Sequence, residues 1–351
     1  MSQILLKFIS EKRCFMKSVI LMVMLSGLFL LCSESVYATA DISDMQVKNN
    51  LFFMKGETKP YSGTLVSADK ATKARVLRAS ISDGMFNGSE KIWYANGNKK
   101  TDIHWIHGKK DGLSQGWYST GEKQYIMHWK DGLRVGDELW WYKNGQRKAK
   151  ISWGHGKRYG TSVGWFKDGK KQMEIHWKNG RQDGKEISWY QNGDVEMQVL
   201  WKDGKRISQE RWWYQGGAKK AVSNWLHGVQ DGDAIKWYKN GAMSDKTTWV
   251  KGKPDGVARG WYRDGKKAYE IHWNKGVQDG WSKIWYTTGQ LKAKTFWKNG
   301  QKQGVSRGFD PEGHKRTEAL WKNGKLQGKM KAWDKHGKLI SHHKKNAVTS
   351  K

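Results

Sequence analysis

The chain has 351 residues, with 64 Lys and Arg against 33 Asp and Glu, giving a formal net charge of +31. It holds 41 Gly and 23 Trp but only 3 Pro, which excludes an ordinary compact domain with an aliphatic core. High charge and few aliphatics would suit disorder, but large apolar groups spaced regularly along a chain argue for burial in small portions.

Residues 1–40 read as an export signal. Lys12, Arg13 and Lys17 precede the apolar run from Ser18 to Leu31. Val36-Tyr37-Ala38 or Ala38-Thr39-Ala40 then supplies the small residues of a cleavage site. The run is short for a membrane span and is followed by Ser33-Glu34-Ser35, so cleavage is expected and a retained anchor is the alternative. Met16 is a second candidate start, and Leu31 is too bulky before Cys32 for a lipidation signal. The chain is thus expected in the periplasm, in the cell envelope or outside a bacterial cell. Cys14 and Cys32 both lie in this segment, so the exported chain would carry no disulfide, cysteine zinc site or thiol nucleophile.

Residues 41–88 keep only Gly84 and Gly88 in register with the glycines downstream, and are read as a divergent capping repeat. From 89 to 340 the chain repeats every 24 residues. An aromatic pair recurs from Trp93-Tyr94 to Trp285-Tyr286, and Phe309 and Trp333 continue its first position. A second series runs from Trp105 to Trp321, each Trp followed three residues later by Gly. A third Gly comes four residues after that and is broken only at Ser208. Asn192-Gly193 and Asn179-Gly180 are hairpin-turn dipeptides, and Met173-Ile175-Trp177 alternates as a strand should. Three glycines per repeat exclude helix, at about 1 kcal/mol each against Ala. The prediction is an all-β fold: an elongated, solenoid-like single sheet of tandem 24-residue β-hairpins. Each hairpin would add roughly 10 Å of sheet. Residues 341–351, with His342-His343-Lys344-Lys345, form a basic tail.

The recurring Trp-Tyr-x-Asn-Gly … Trp-x-x-Gly-x-x-Asp-Gly frame resembles the MORN-repeat variant family, including the YwqK-type antitoxin proteins. Lys59-Pro60-Tyr61-Ser62-Gly63 is similar to that family's lead-in. The resemblance spans Phe52 to Lys338 and implies a β-hairpin solenoid with an interaction role. The heavy Trp content, basic charge and fixed spacing depart from the family's usual pattern, which weakens the transfer of an antitoxin role.

The sequence offers no constellation for catalysis. Asp111-Gly112, Asp183-Gly184, Asp231-Gly232 and Asp279-Gly280 are read as turn residues, and no nucleophile sits beside a base. His104, His128, His176 and His272 share one position, but repeats about 10 Å apart cannot gather a metal's ligands. No metal or cofactor is expected. Outside residues 1–40 the balance is 60 cations against 31 anions, a net +29. Part of it is in register, at Lys99, Lys123, Arg147, Lys171, Lys219, Lys267 and Lys315. A turn loop of two or four residues would pair this position with Tyr94, Tyr118, Tyr142, Tyr214 and Tyr262, making a phenol–cation ladder opposite the tryptophans. A three-residue loop would flip that parity.

Such a ladder suits anionic lipid head groups, lipopolysaccharide or acidic glycan, with nucleic acid a poor match for an exported protein. The competing readings are a protein-binding antitoxin or immunity-type module, and a structural envelope spacer whose face binds nothing.

Overall fold

A computed structural model of the protein describes residues 38–69 and 74–343. The export signal up to Tyr37 and the tail from Lys344 lie outside the described residues. The chain forms two compact units that divide between Lys157 and Arg158.

In the first unit, the strands from Gly63–Ala68 to Arg147–Gly154 follow one another as antiparallel neighbours. Thr39–Asp41 joins in parallel beside Gly63–Ala68, and Met45–Lys48 pairs with Leu51–Met54 as a separate hairpin. In the second unit the same meander runs from Gly160–Trp165 to Leu339–His343. The last strand crosses residue 340, so the boundary drawn there from sequence falls inside a strand. The fold is all-β, and the only helical turn among the described residues is the 3-10 segment Ile42–Asp44.

Two kinds of turn alternate. His107-Gly108 and its equivalents place two successive residues at positive φ, 45° and 75° in this copy, which matches the twist of a two-residue hairpin. The other turn is longer. Tyr94 N donates to Asn98 O at 2.8 Å and Gly97 N to Tyr94 O at 2.9 Å, so the loop is Ala95-Asn96-Gly97. Three residues, not two or four, therefore close it, and Trp93 rather than Tyr94 lies opposite Lys99. The Asp-Gly steps are not turns either. Asp111 and Gly112 lie within the strand Lys109–Trp117, at an irregularity in its pairing to the preceding strand. Gly112 there takes a φ of 91°.

The principal buried cluster of the first unit gathers Ala40, Met45, Tyr61, Leu65, Ala79 and Ile81. Ile81 stands at the second-Trp position, 24 residues before Trp105. Phe86 passes the packing on, edge-to-face with Phe52 at 5.3 Å and stacked on Trp105 at 5.2 Å. Beyond that cluster, burial is shared along the repeats. The tryptophans of the two repeat series are half-buried, while Trp281, outside them, is exposed.

Candidate functional site

In each unit one face carries the first tryptophans. Lys99, Lys123, Arg147, Lys171, Lys219 and Lys267 lie opposite Trp93, Trp117, Trp141, Trp165, Trp213 and Trp261, and Lys315 lies opposite Phe309. The sequence-predicted phenol–cation ladder is therefore corrected to an indole–cation one. Lys99 also reaches the next repeat, 5.0 Å from the Trp117 centroid, and Lys315 sits 4.0 Å from that of Trp333. Where the residue three positions on is acidic it holds the ammonium, as in Lys99–Asp102 at 3.0 Å and Lys171–Glu174 at 2.8 Å.

The tyrosines act as staples between repeats. The hydroxyls of Tyr94, Tyr118, Tyr214 and Tyr262 donate to the carbonyls of Trp117, Trp141, Trp237 and Trp285 at 2.6–2.9 Å. Their rings do meet cations, but from one position further on: Lys100 over Tyr94, Lys148 over Tyr142 and Lys220 over Tyr214.

The opposite face carries the second tryptophans, threaded with a cation series that the sequence reading missed. Lys110 lies 5.5 Å from Trp105 and 4.9 Å from Trp129. Arg134 likewise sits between Trp129 and Trp153, Arg206 between Trp201 and Trp225, and Lys302 between Trp297 and Trp321. A cation held against indole faces contributes about 0.5–2 kcal/mol as water is excluded. Glutamates complete the ladder: Glu90, Glu138, Glu186 and Glu210 accept the indole N–H of the Trp fifteen residues on, at 2.7–3.0 Å. A cation five residues after the second Trp, at Lys110, Arg134, Arg158, Arg206 and Lys302, is the available signal.

The histidines anchor exposed carbonyls. Nδ1 of His104, His176 and His272 lies 2.7–2.8 Å from a main-chain oxygen of the neighbouring strand, and Asn224 does the same at 2.6 Å. Asp310, Glu312 and His314 form the one cluster of metal-ligand types among the described residues. Arg316 and His314 already occupy the Asp310 carboxylate, at 2.6 and 3.3 Å.

The row of two-residue turns is markedly basic in the second unit. Lys178 faces Arg181, Lys202 faces Lys205, and Lys322 faces Lys325 directly across the ladder. Lys202 is paired with Asp183 at 3.1 Å, while Lys178, Arg181, Lys205, Lys322 and Lys325 are exposed without an ion pair among the described residues. The aspartates of the Asp-Gly steps tie this row together. Asp111, Asp183 and Asp279 accept the amide of the next turn, from Asp131, Asp203 and Asn299, at 3.1–3.3 Å. Lys202 and the Asp203 amide hold the Asp183 carboxyl below its ordinary range, and Lys202 rises in return. Burial and the neighbouring Asp245 push the Tyr269 phenol up.

Residues 182–203, 254–275 and 278–299 match the MORN repeat variant. No curated protein was found to match the sequence. Among solved structures, the chain is similar to one titled "Crystal Structure of TcdB2-TccC3-Cdc42", with 10% identity and a TM-score of 0.15 over 81% of this chain and 18% of that one. A second, "Crystal Structure of TcdB2-TccC3", gives 10% identity and 0.14 over 80% and 18%. This chain spans less than a fifth of either, and TM-scores that low carry no structural argument.

Proposed function

We propose that this MORN-repeat variant protein is an exported, non-enzymatic binding module whose partner is an anionic component of the bacterial envelope: lipid head groups, lipopolysaccharide or acidic glycan. The basic turn row carries the reading. Like charges placed directly across a ladder destabilise it, yet Lys178/Arg181, Lys202/Lys205 and Lys322/Lys325 are so placed. A polyanion laid along the row relieves that repulsion, and its weak contacts add through effective concentration when it spans several repeats. Residues on the first-Trp face extend the basic surface, with Lys294 opposite both Lys283 and Arg307.

Co-sedimentation with vesicles of phosphatidylglycerol, against phosphatidylcholine, tests the reading. Binding should be confined to the anionic vesicles and fall steeply as the screening length shrinks to about 10 Å at 0.1 M salt. Changing Lys178, Arg181, Lys322 and Lys325 to Gln should weaken it with the fold intact. Unchanged binding by that variant at low salt would leave the row a solubility device.

A further inference from the structure

The second unit contains an open depression of about 340 Å³ on its first-Trp face. It lies beside the one repeat whose third glycine is replaced, by Ser208, where the strand is interrupted between Lys205–Arg206 and Glu210–Trp213. Val222 and Ile235, which are cross-strand partners, line it together with Trp213, Trp237, Arg211 and Lys219.

What sets this place apart is a missing carboxylate. In two later repeats an arginine, a lysine and a glutamate form a closed group. Glu270 takes Arg259 at 3.3 Å and Lys267 at 3.3 Å; Glu318 takes Arg307 at 2.9 Å and Lys315 at 3.5 Å. Arg211 and Lys219 are the equivalents of those cations, and Val222 stands where the glutamate would be. Arg211 donates Nε to Gln209 at 2.8 Å, and Gln209 is itself tied to Asn224 at 3.3 Å. The rest of the guanidinium and the Lys219 ammonium have no acidic partner among the described residues. Lys267 and Lys315 are held over the next repeat's indole, at 5.5 and 4.0 Å, whereas no such contact forms between Lys219 and Trp237.

We infer that this depression binds the carboxylate-bearing sugar ring of an acidic glycan. The ligand carboxylate takes the place of the absent glutamate, bridging Arg211 and Lys219 in charge-assisted hydrogen bonds. The ring's apolar face rests on the indoles and the aliphatic floor, the usual division between body and polar anchors in a ligand site. An open depression admits a sugar unit within a polymer, which a closed pocket would not. The site narrows the envelope-ligand reading above to one of its ligand classes.

Calorimetric titration of the full chain with trigalacturonate tests this, with maltotriose and adenosine monophosphate as comparisons. Saturable binding of trigalacturonate is expected, with maltotriose at least about tenfold weaker, since hydrogen bonds to charged groups carry factors of that size. Val222→Glu restores the internal carboxylate with a residue its own sister repeats carry. It should lower trigalacturonate affinity at least about tenfold while changing vesicle binding little, because the net charge moves by only one. Arg211→Gln with Lys219→Gln should do the same. Equal binding by Val222→Glu, equal affinity for maltotriose, or tighter binding of adenosine monophosphate would each overturn the assignment. Trigalacturonate binding without vesicle binding would leave this site standing and the turn-row reading refuted.

Discussion

Glu138 is the most heavily used acid of the second-Trp face. Its carboxylate accepts the indole N–H of Trp140 at 2.6 Å and of Trp153 at 2.7 Å, and pairs with Arg134 at 3.1 Å. The side chain is only 5% exposed. Glu138→Ala would strand two half-buried indole donors, each costing up to about 1–3 kcal/mol when no acceptor replaces the lost one. It would also leave Arg134 uncompensated. A fully buried partner would add about 3–5 kcal/mol, but Arg134 is 36% exposed, so solvent screens much of that charge. The three losses share one group and do not add, so the expected cost is about 3 kcal/mol. Glu138→Gln keeps one acceptor oxygen and should cost roughly half as much. Urea unfolding measures both, and hydrogen exchange should show the loss concentrated in the strands Lys123–Lys130, Leu133–Trp141 and Arg147–Gly154. A cost below about 1 kcal/mol for the alanine variant would refute the view that this carboxylate ties the ladder together.

Tyr214→Phe removes the 2.9 Å bond to the Trp237 carbonyl and should cost about 1 kcal/mol by urea unfolding without altering vesicle binding. Acid should unfold the array from its turn row. Asp183 has a folded pKa below its unfolded value, so its contribution is full above about pH 4 and is lost as pH falls through the folded value. Asp183→Asn should therefore flatten the acid limb of a stability–pH curve, and an unaltered limb would contradict the tie to Lys202 and Asp203. Glu90, raised chiefly by burial, works in the other sense and loses its contribution as pH rises through its folded value. Deleting the 24 residues from Gly184 to Ile207 should leave a folded, shorter chain on gel filtration and circular dichroism, whereas deleting 12 should cause aggregation. If export proceeds by cleavage, N-terminal sequencing should find Thr39 rather than Asp41, since Thr39 and Ala40 pair with Thr64 and Leu65 in the first unit.

The hairpins, their boundaries and both turn sites were legible because Gly and Trp recur at one fixed step, and positive φ at Asn-Gly leaves little freedom. The site was not. Which face the in-register lysines share depended on one residue of loop length, and no local propensity separates a two-residue Asn-Gly turn from a three-residue loop ending in Asn-Gly. The sequence pattern consequently places the Lys99 series beside tyrosine and hides the true neighbours, Lys100, Lys148 and Lys220. Asp183 reads as a turn former because Asp-Gly ordinarily is one. Its partner is the Asp203 amide, twenty residues away, which only the pairing of neighbouring hairpins brings close. The depression at Arg211 depends on an absence at Val222, and an absence is visible only once the sister groups at Glu270 and Glu318 have been seen closed.

The tyrosine staples give the array an arrow of time. Seven hydroxyls, those of Tyr94, Tyr118, Tyr190, Tyr214, Tyr238, Tyr262 and Tyr286, find their acceptor 23 residues downstream, as Tyr190 does on Trp213 and Tyr238 on Trp261. A chain emerging amino end first, from a ribosome or a secretion channel, thus presents each of these seven phenols before the carbonyl that will receive it. Within a unit, each newly arrived hairpin so stapled locks its predecessor and exposes one open phenol of its own, so completion advances like a ratchet; Phe166, which has no hydroxyl, leaves one step unlatched. Tyr61, which stands outside this register, points backward to Ala38 at 2.8 Å and is satisfied from the outset. At the far end Asp310 replaces the tyrosine and turns its carboxylate onto its own loop, through the His314 amide at 2.7 Å. The succession that Tyr286 passes to Phe309 therefore stops there by a change of side chain, with hairpin structure still to come.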